Sequence, residues 1–119
     1  MTNYQTQLLD LVIKIQQIPA PTFAEGPRGE FVRGRFLEEG LKDVSMDSQG
    51  NVYGRLPGKN NNTKPLIVSA HLDTVFPEKT NLKVNKESIK ISGPGIGDNS
   101  MGVAALFGIQ WLLRERKIE

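Results

Sequence analysis

Apolar residues near the start of the chain recur at helical spacing. Leu8, Leu11, Val12 and Ile15 fall at i, i+3, i+4 and i+7, which lines up one face of a helix. Pro19 and Pro21 stop it, and Ala20-Pro21-Thr22-Phe23-Ala24-Glu25-Gly26 reads as a connecting loop. A second helix is predicted from about Pro27 to Glu39, with Pro27 suited to the first turn. Gly40 suits the left-handed position just past its end, where Leu41 can pack back on it.

The period then changes. Val44 to Asp47 and Asn51 to Leu56 read as short strands joined by Asp47-Ser48-Gln49-Gly50, with Val52, Gly54 and Leu56 on one face. Gly58-Lys59-Asn60-Asn61-Asn62 reads as a surface turn. Pro65-Leu66-Ile67-Val68-Ser69-Ala70-His71 is nearly all apolar, the signature of a strand buried on both faces. Leu82, Val84, Ile89 and Ile91 alternate around Asn85-Lys86-Glu87-Ser88, which predicts a hairpin. Gly93 to Gly97 is a loop. From Ser100 or Met101 to about Arg116 runs a helix that is apolar on several sides, as if packed closely against a sheet. This order predicts an α/β fold, a mixed sheet flanked by helices, with His71 at the carboxyl end of the central strand. Open α/β sheets place their ligands at that end.

Composition narrows the chemistry. The 119 residues suit one domain, and 38% hydrophobic with 24% charged content is that of a globular chain. No apolar run reaches the roughly 20 residues of a membrane span, so no membrane partner is expected. The start has no basic patch followed by an apolar stretch, and there is no cysteine; both point to a cytoplasmic protein. Without cysteine, any metal must be held by His, Asp or Glu. A net charge of +2, with Lys and Arg scattered beside acidic neighbours, gives no nucleic-acid face.

Two stretches carry candidate chemistry. In His71-Leu72-Asp73-Thr74-Val75, His71 and Asp73 can face one cleft, and a metal-bound imidazole usually donates its other N–H to a carboxylate. Taken alone, His-x-Asp is common, and an ordinary histidine at a strand end is the plainer reading of His71. In Gly93-Pro94-Gly95-Ile96-Gly97-Asp98-Asn99-Ser100, alternate glycines bring the backbone close and deliver Asp98 at the mouth of a helix. The plainer reading is a flexible turn with Asp98 or Ser100 as the helix cap. A phosphate-cradling loop is disfavoured, since no Gly-Lys-Ser/Thr follows and a carboxylate there repels phosphate.

Together, Ser69-Ala70-His71-Leu72-Asp73-Thr74-Val75 and Gly93-Pro94-Gly95-Ile96-Gly97-Asp98 resemble the dinuclear zinc peptidases and amidases. That family includes carboxypeptidase G, tripeptide aminopeptidase, aminoacylase, acetylornithine deacetylase and succinyl-diaminopimelate desuccinylase. The resemblance extends over most of the chain and includes Gly50-Asn51-Val52-Tyr53-Gly54. It implies that residues 1–119 are the amino-terminal portion of a metallopeptidase catalytic domain. By resemblance, His71 ligates one zinc ion, Asp98 bridges two, and Asp73 is the catalytic-site residue that orients His71. Cobalt is an alternative metal. The Asp98-Asn99 peptide is implied to be cis. Relatives often carry a Lys near this Asp; here Asn99-Ser100 stands instead, and neither is assigned a catalytic part. Two zinc ions about 3.5–4 Å apart polarise an amide carbonyl for attack by water. The implied substrate is a peptide or an N-acyl amino acid.

The family's remaining ligands and its general-base Glu, part of a Glu-Glu pair, lie beyond this stretch. The chain has one histidine, and its acidic pair Glu38-Glu39 lies upstream of His71 on the second helix. Lys117-Ile118-Glu119 closes the sequence where a next strand is expected, and the lid or dimerisation domain is absent. The expectation is a fragment of a zinc metallohydrolase, inactive alone, with an exposed sheet edge that favours oligomers. The alternative is a non-catalytic binding or assembly subunit of the same fold. Selectivity among aminopeptidase, carboxypeptidase and deacylase is not written in these residues.

Overall fold

The computed structural model describes residues 3–60 and 62–116. It is a small α/β arrangement of three helices and two separate two-stranded antiparallel sheets. Helix α1 spans Asn3–Gln16 and buries Leu11, Val12, Ile15 and Gln16, with Leu8 packed at the edge of the core. Helix α2, Gly26–Glu38, starts with Pro27 in its first turn and buries Arg28, Gly29, Val32 and Phe36.

The end of α2 follows from its sequence. Gly40 takes a φ of 76°, a conformation that costs glycine little and other residues more. Gly40 N–H then donates to Leu37 O at 3.0 Å and Leu41 N–H to Phe36 O at 3.1 Å. These two bonds satisfy carbonyls the helix leaves open and fold Leu41 back into the core, as expected.

Strands β1 (Lys42–Met46) and β2 (Val52–Arg55) pair antiparallel through Ser45–Tyr53 and Met46–Val52, with an irregularity between Lys42 and Ser45. The Asp47 carboxylate closes their turn by accepting from Gln49 N–H and Asn51 N–H, each at 2.9 Å. This sheet packs on α2. Helix α3, Met101–Arg116, buries Val103, Ala104, Phe107 and Gln110, and Phe107 lies 5.3 Å from Phe36 between ring centres. The core therefore joins all three helices.

Three expectations are corrected. The mixed sheet is not formed among the described residues, where the only parallel pairing is the isolated Pro21–Thr74 bridge. The run Pro65–His71 forms no strand among the described residues: Leu66 is 88% and Ile67 84% exposed. Its apolar composition suits a buried strand, but a strand forms only where neighbouring strands take up its N–H and C=O groups. Helix α3, expected against a sheet, packs on α1 instead and leaves Ile109 and Leu112 exposed. The second hairpin is present but short. It comprises β3 (Asn85–Lys86) and β4 (Ile91–Ser92), so Leu82 and Val84 fall outside its strands and Ile89 sits exposed at its turn. Asn61 and the strand expected at Lys117–Glu119 lie outside the described residues.

Candidate metal centre

The two motifs meet. His71 Nε2 lies 3.0 Å from Asp98 Oδ1, and His71 Nδ1 lies 3.1 Å from Asp73 Oδ1. One imidazole thus has a carboxylate at each nitrogen, on a face where Asp98 is 80% exposed. All three predicted site residues are brought together.

The His71 arm is held from several sides. Thr74 N–H donates to Ala20 O at 2.8 Å, tying the arm to the loop after α1. In that loop the Thr22 hydroxyl donates to Asp73 Oδ2 at 2.6 Å. The Thr22 bond, with a smaller contribution from His71, holds the Asp73 carboxyl below the usual carboxylate range. The two ring nitrogens thus face different carboxylates, Nδ1 that of Asp73 and Nε2 that of Asp98.

The Asp98 arm is built on glycine. Gly95 has a φ of 77° and opens a tight turn, Ile96–Ser100, closed by Ser100 N–H donating to Gly95 O at 3.2 Å. Gln16, fully buried on α1, donates through Nε2 to Pro94 O at 2.9 Å and to Leu82 O at 3.1 Å. The Asp98-Asn99 peptide is cis, as the resemblance implied. Asn99 Nδ2 donates to His71 O at 3.2 Å and links the two arms directly. Gly102 leaves room for this amide, because a Cβ there would overlap the Asn99 side chain. Neither polar residue caps α3: Asp98 faces His71, and the buried Ser100 hydroxyl has no hydrogen-bond partner among the described residues.

An imidazole nitrogen and a carboxylate oxygen are donors that zinc accepts readily. Among the described residues no group of three His, Asp or Glu side chains is arranged to hold a metal ion. The donor set therefore fits part of a coordination shell. A concavity of about 320 Å³, lined by Gln7, Lys14, Arg35 and Trp111 among others, shares no residue with this cluster.

Sequence reasoning set aside Thr22 as part of a plain connecting loop, gave Asn99 no catalytic part, and passed over Gln16 and Arg28. Two of these had a visible signal. Arg28 lies four residues before Val32 and eight before Phe36, on the apolar face of α2. Gln16 follows Val12 by four on the apolar face of α1. A polar group on a buried stripe must find partners, and both find main-chain carbonyls.

Residues 51–118, a stretch containing both motifs, match peptidase family M28. Cytosol non-specific dipeptidase of Escherichia coli (strain K12) is 32% identical over 117 residues, covering 86% of this chain. The same alignment covers 24% of that enzyme, so the chain spans about a quarter of its relative's length. The family match takes in more than half of the chain and agrees with the zinc peptidase resemblance carried by His71, Asp73 and Asp98. The chain belongs to peptidase family M28.

Proposed function

We propose that this chain is the amino-terminal part of the catalytic domain of a zinc-dependent hydrolase that cleaves a peptide or N-acyl amide bond. The observation that carries this reading is the approach of His71 Nε2 to Asp98 Oδ1, 3.0 Å, with the other imidazole nitrogen engaged by Asp73. That arrangement brings one ring nitrogen and one carboxylate to a single point, where a cation would find two donors. His71 and Asp98 would hold zinc, and Asp73 would fix the imidazole by keeping its proton on Nδ1. Zinc there would supply the Lewis acidity that polarises an amide carbonyl and makes an attacking water acidic. A peptide substrate is favoured by the dipeptidase relative.

The complete domain would add the missing ligands and the general base, and it would provide the partner strands for residues 65–71 in a mixed sheet. Two ligands bind zinc weakly, so the 119-residue chain alone is expected to hydrolyse neither dipeptides nor N-acyl amino acids. Zinc-dependent hydrolysis by the purified chain, abolished by a chelator and restored by metal, would show that the machinery is complete without them. A cytoplasmic location accords with the absence of cysteine.

A further inference from the structure

Arg28 is 1% exposed, in the first half of α2. Among the described residues no carboxylate lies within ion-pair distance of it. Stripping a guanidinium of water costs several kcal/mol unless its donors are satisfied. Here each of the three nitrogens donates to a carbonyl. Nε and Nη2 both donate to Ile18 O, at 3.1 and 2.7 Å, and Nη1 donates to Leu72 O at 2.9 Å.

The two acceptors have different jobs. Ile18 begins the connection that carries Ala20, which binds Thr74 N–H, and Thr22, which binds the Asp73 carboxylate. Leu72 is the residue between His71 and Asp73. One planar fork therefore fixes the distance between the loop that anchors Asp73 and the backbone that carries His71. A lysine cannot copy this, because its ammonium is a point donor at the end of a flexible stem.

We propose that Arg28 is a positioning residue for metal binding: its guanidinium clamps Ile18 and Leu72 so that Thr22, Asp73 and His71 stay in register and His71 Nε2 is presented to the cation. This rests on the metal-site reading above. It accounts for a buried charge on an otherwise apolar stripe, where a leucine would fill the space without desolvating a charge.

His71 is the only histidine, so its imidazole NMR signals report the site without assignment ambiguity. The test is a zinc titration of the 119-residue chain, followed by those signals, for the unaltered protein, Arg28→Lys and Arg28→Met. Melting temperatures of the metal-free proteins are measured alongside. The unaltered chain is expected to bind zinc weakly, with a dissociation constant on the order of 1 mM, and both variants about 10–100-fold more weakly. The Nδ1 and Nε2 signals of the metal-free variants are expected to move toward each other, because the tautomer is no longer held. Should Arg28→Met fail to fold, Arg28→Lys decides alone. Equal zinc affinity and unchanged imidazole signals in Arg28→Lys, whatever its melting temperature, would reduce Arg28 to a packing role and overturn the proposal. Failure of the unaltered chain to respond to zinc would instead remove the metal-site reading, and this inference with it.

Discussion

The helical side of the molecule and the extended stretch from Leu56 to Ser92 contain similar apolar residues and hold them in opposite ways. Leu11, Val12, Ile15, Val32, Phe36, Val103 and Phe107 share one buried cluster. Leu66, Ile67, Val68, Val75 and Ile89 are exposed. Hydrophobicity does not distinguish the two groups. A helix closes its own backbone hydrogen bonds and needs only a surface for its apolar stripe. A strand needs a second strand for every N–H and C=O before its side chains have anything to pack against. The helical side thus closes its own bonds, and the stretch around Pro65–His71 has no strand partner among the described residues.

The sharpest way to break that contrast is to mutate both regions. Phe107→Ala removes a fully buried ring packed on Phe36 and is expected to cost about 3–5 kcal/mol in urea unfolding. Ile67→Lys, at a position 84% exposed, is expected to stay within about 0.5 kcal/mol. The same lysine should suppress self-association of the chain, since a charge on an unpaired edge blocks strand addition. Light scattering across a concentration series reads this directly. A large loss of stability in Ile67→Lys, or concentration-independent monomers in the unaltered protein, would show that residues 65–71 are not an open edge.

Gln16 joins the two regions, so its removal tests how far they are coupled. Gln16→Leu keeps the volume on α1 but leaves Pro94 O without its donor and Gln17 Nε2 without one of its two acceptors. An orphaned buried carbonyl costs about 1–3 kcal/mol. The loss should appear as faster amide exchange at Ile96 and Ser100, whose N–H groups close the Gly93–Ser100 loop. Protection that stays unchanged there, with the core equally stable, would mean the loop holds its shape without α1.

What the sequence disclosed follows the same division. Helices α1 and α2, the Gly40 stop and the Asp47 turn were legible because each is decided within a few residues by spacing, a φ preference or a side-chain acceptor. That His71, Asp73 and Asp98 would cluster was legible because two short motifs occur in order, though Asp98 lies 25 residues beyond Asp73 along the chain. The strand state of Pro65–His71 was not, because pattern records what a segment can bury and not whether a partner is present. The supports were missed for a related reason. Thr22 reaches Asp73 across 51 positions and Arg28 reaches Leu72 across 44, and no local pattern encodes such pairings. Arg28 and Gln16 did leave a trace as polar residues on apolar stripes, which identified a need for partners without naming them.

The β1–β2 hairpin is the counterexample within the strands: it forms because its turn supplies the closure that residues 65–71 lack. Asp47 accepts from Gln49 N–H, Asn51 N–H, Asn51 Nδ2 at 3.0 Å and the Tyr53 hydroxyl at 3.0 Å. The Asn51 side-chain bond leads in holding the Asp47 carboxyl below its ordinary range. The bond to Asp47 leads in raising the Tyr53 hydroxyl above its own. The two shifts have opposite consequences. Asp47's contribution is present above the unfolded carboxylate value of about 4 and is lost as pH falls through the lower folded value. Tyr53's is present below its unfolded value of about 10 and is lost as pH rises through the higher folded value. The turn should therefore be tightest between those limits, with a small amplitude because both groups face solvent. Amide shifts of Gln49 and Asn51 followed against pH should show both transitions. Asp47→Asn should erase the acid transition, and Tyr53→Phe the alkaline one while sparing the acid one. If Tyr53→Phe leaves the alkaline transition in place, the hydroxyl is not part of the closure, and the hairpin rests on Asp47 and Asn51 alone.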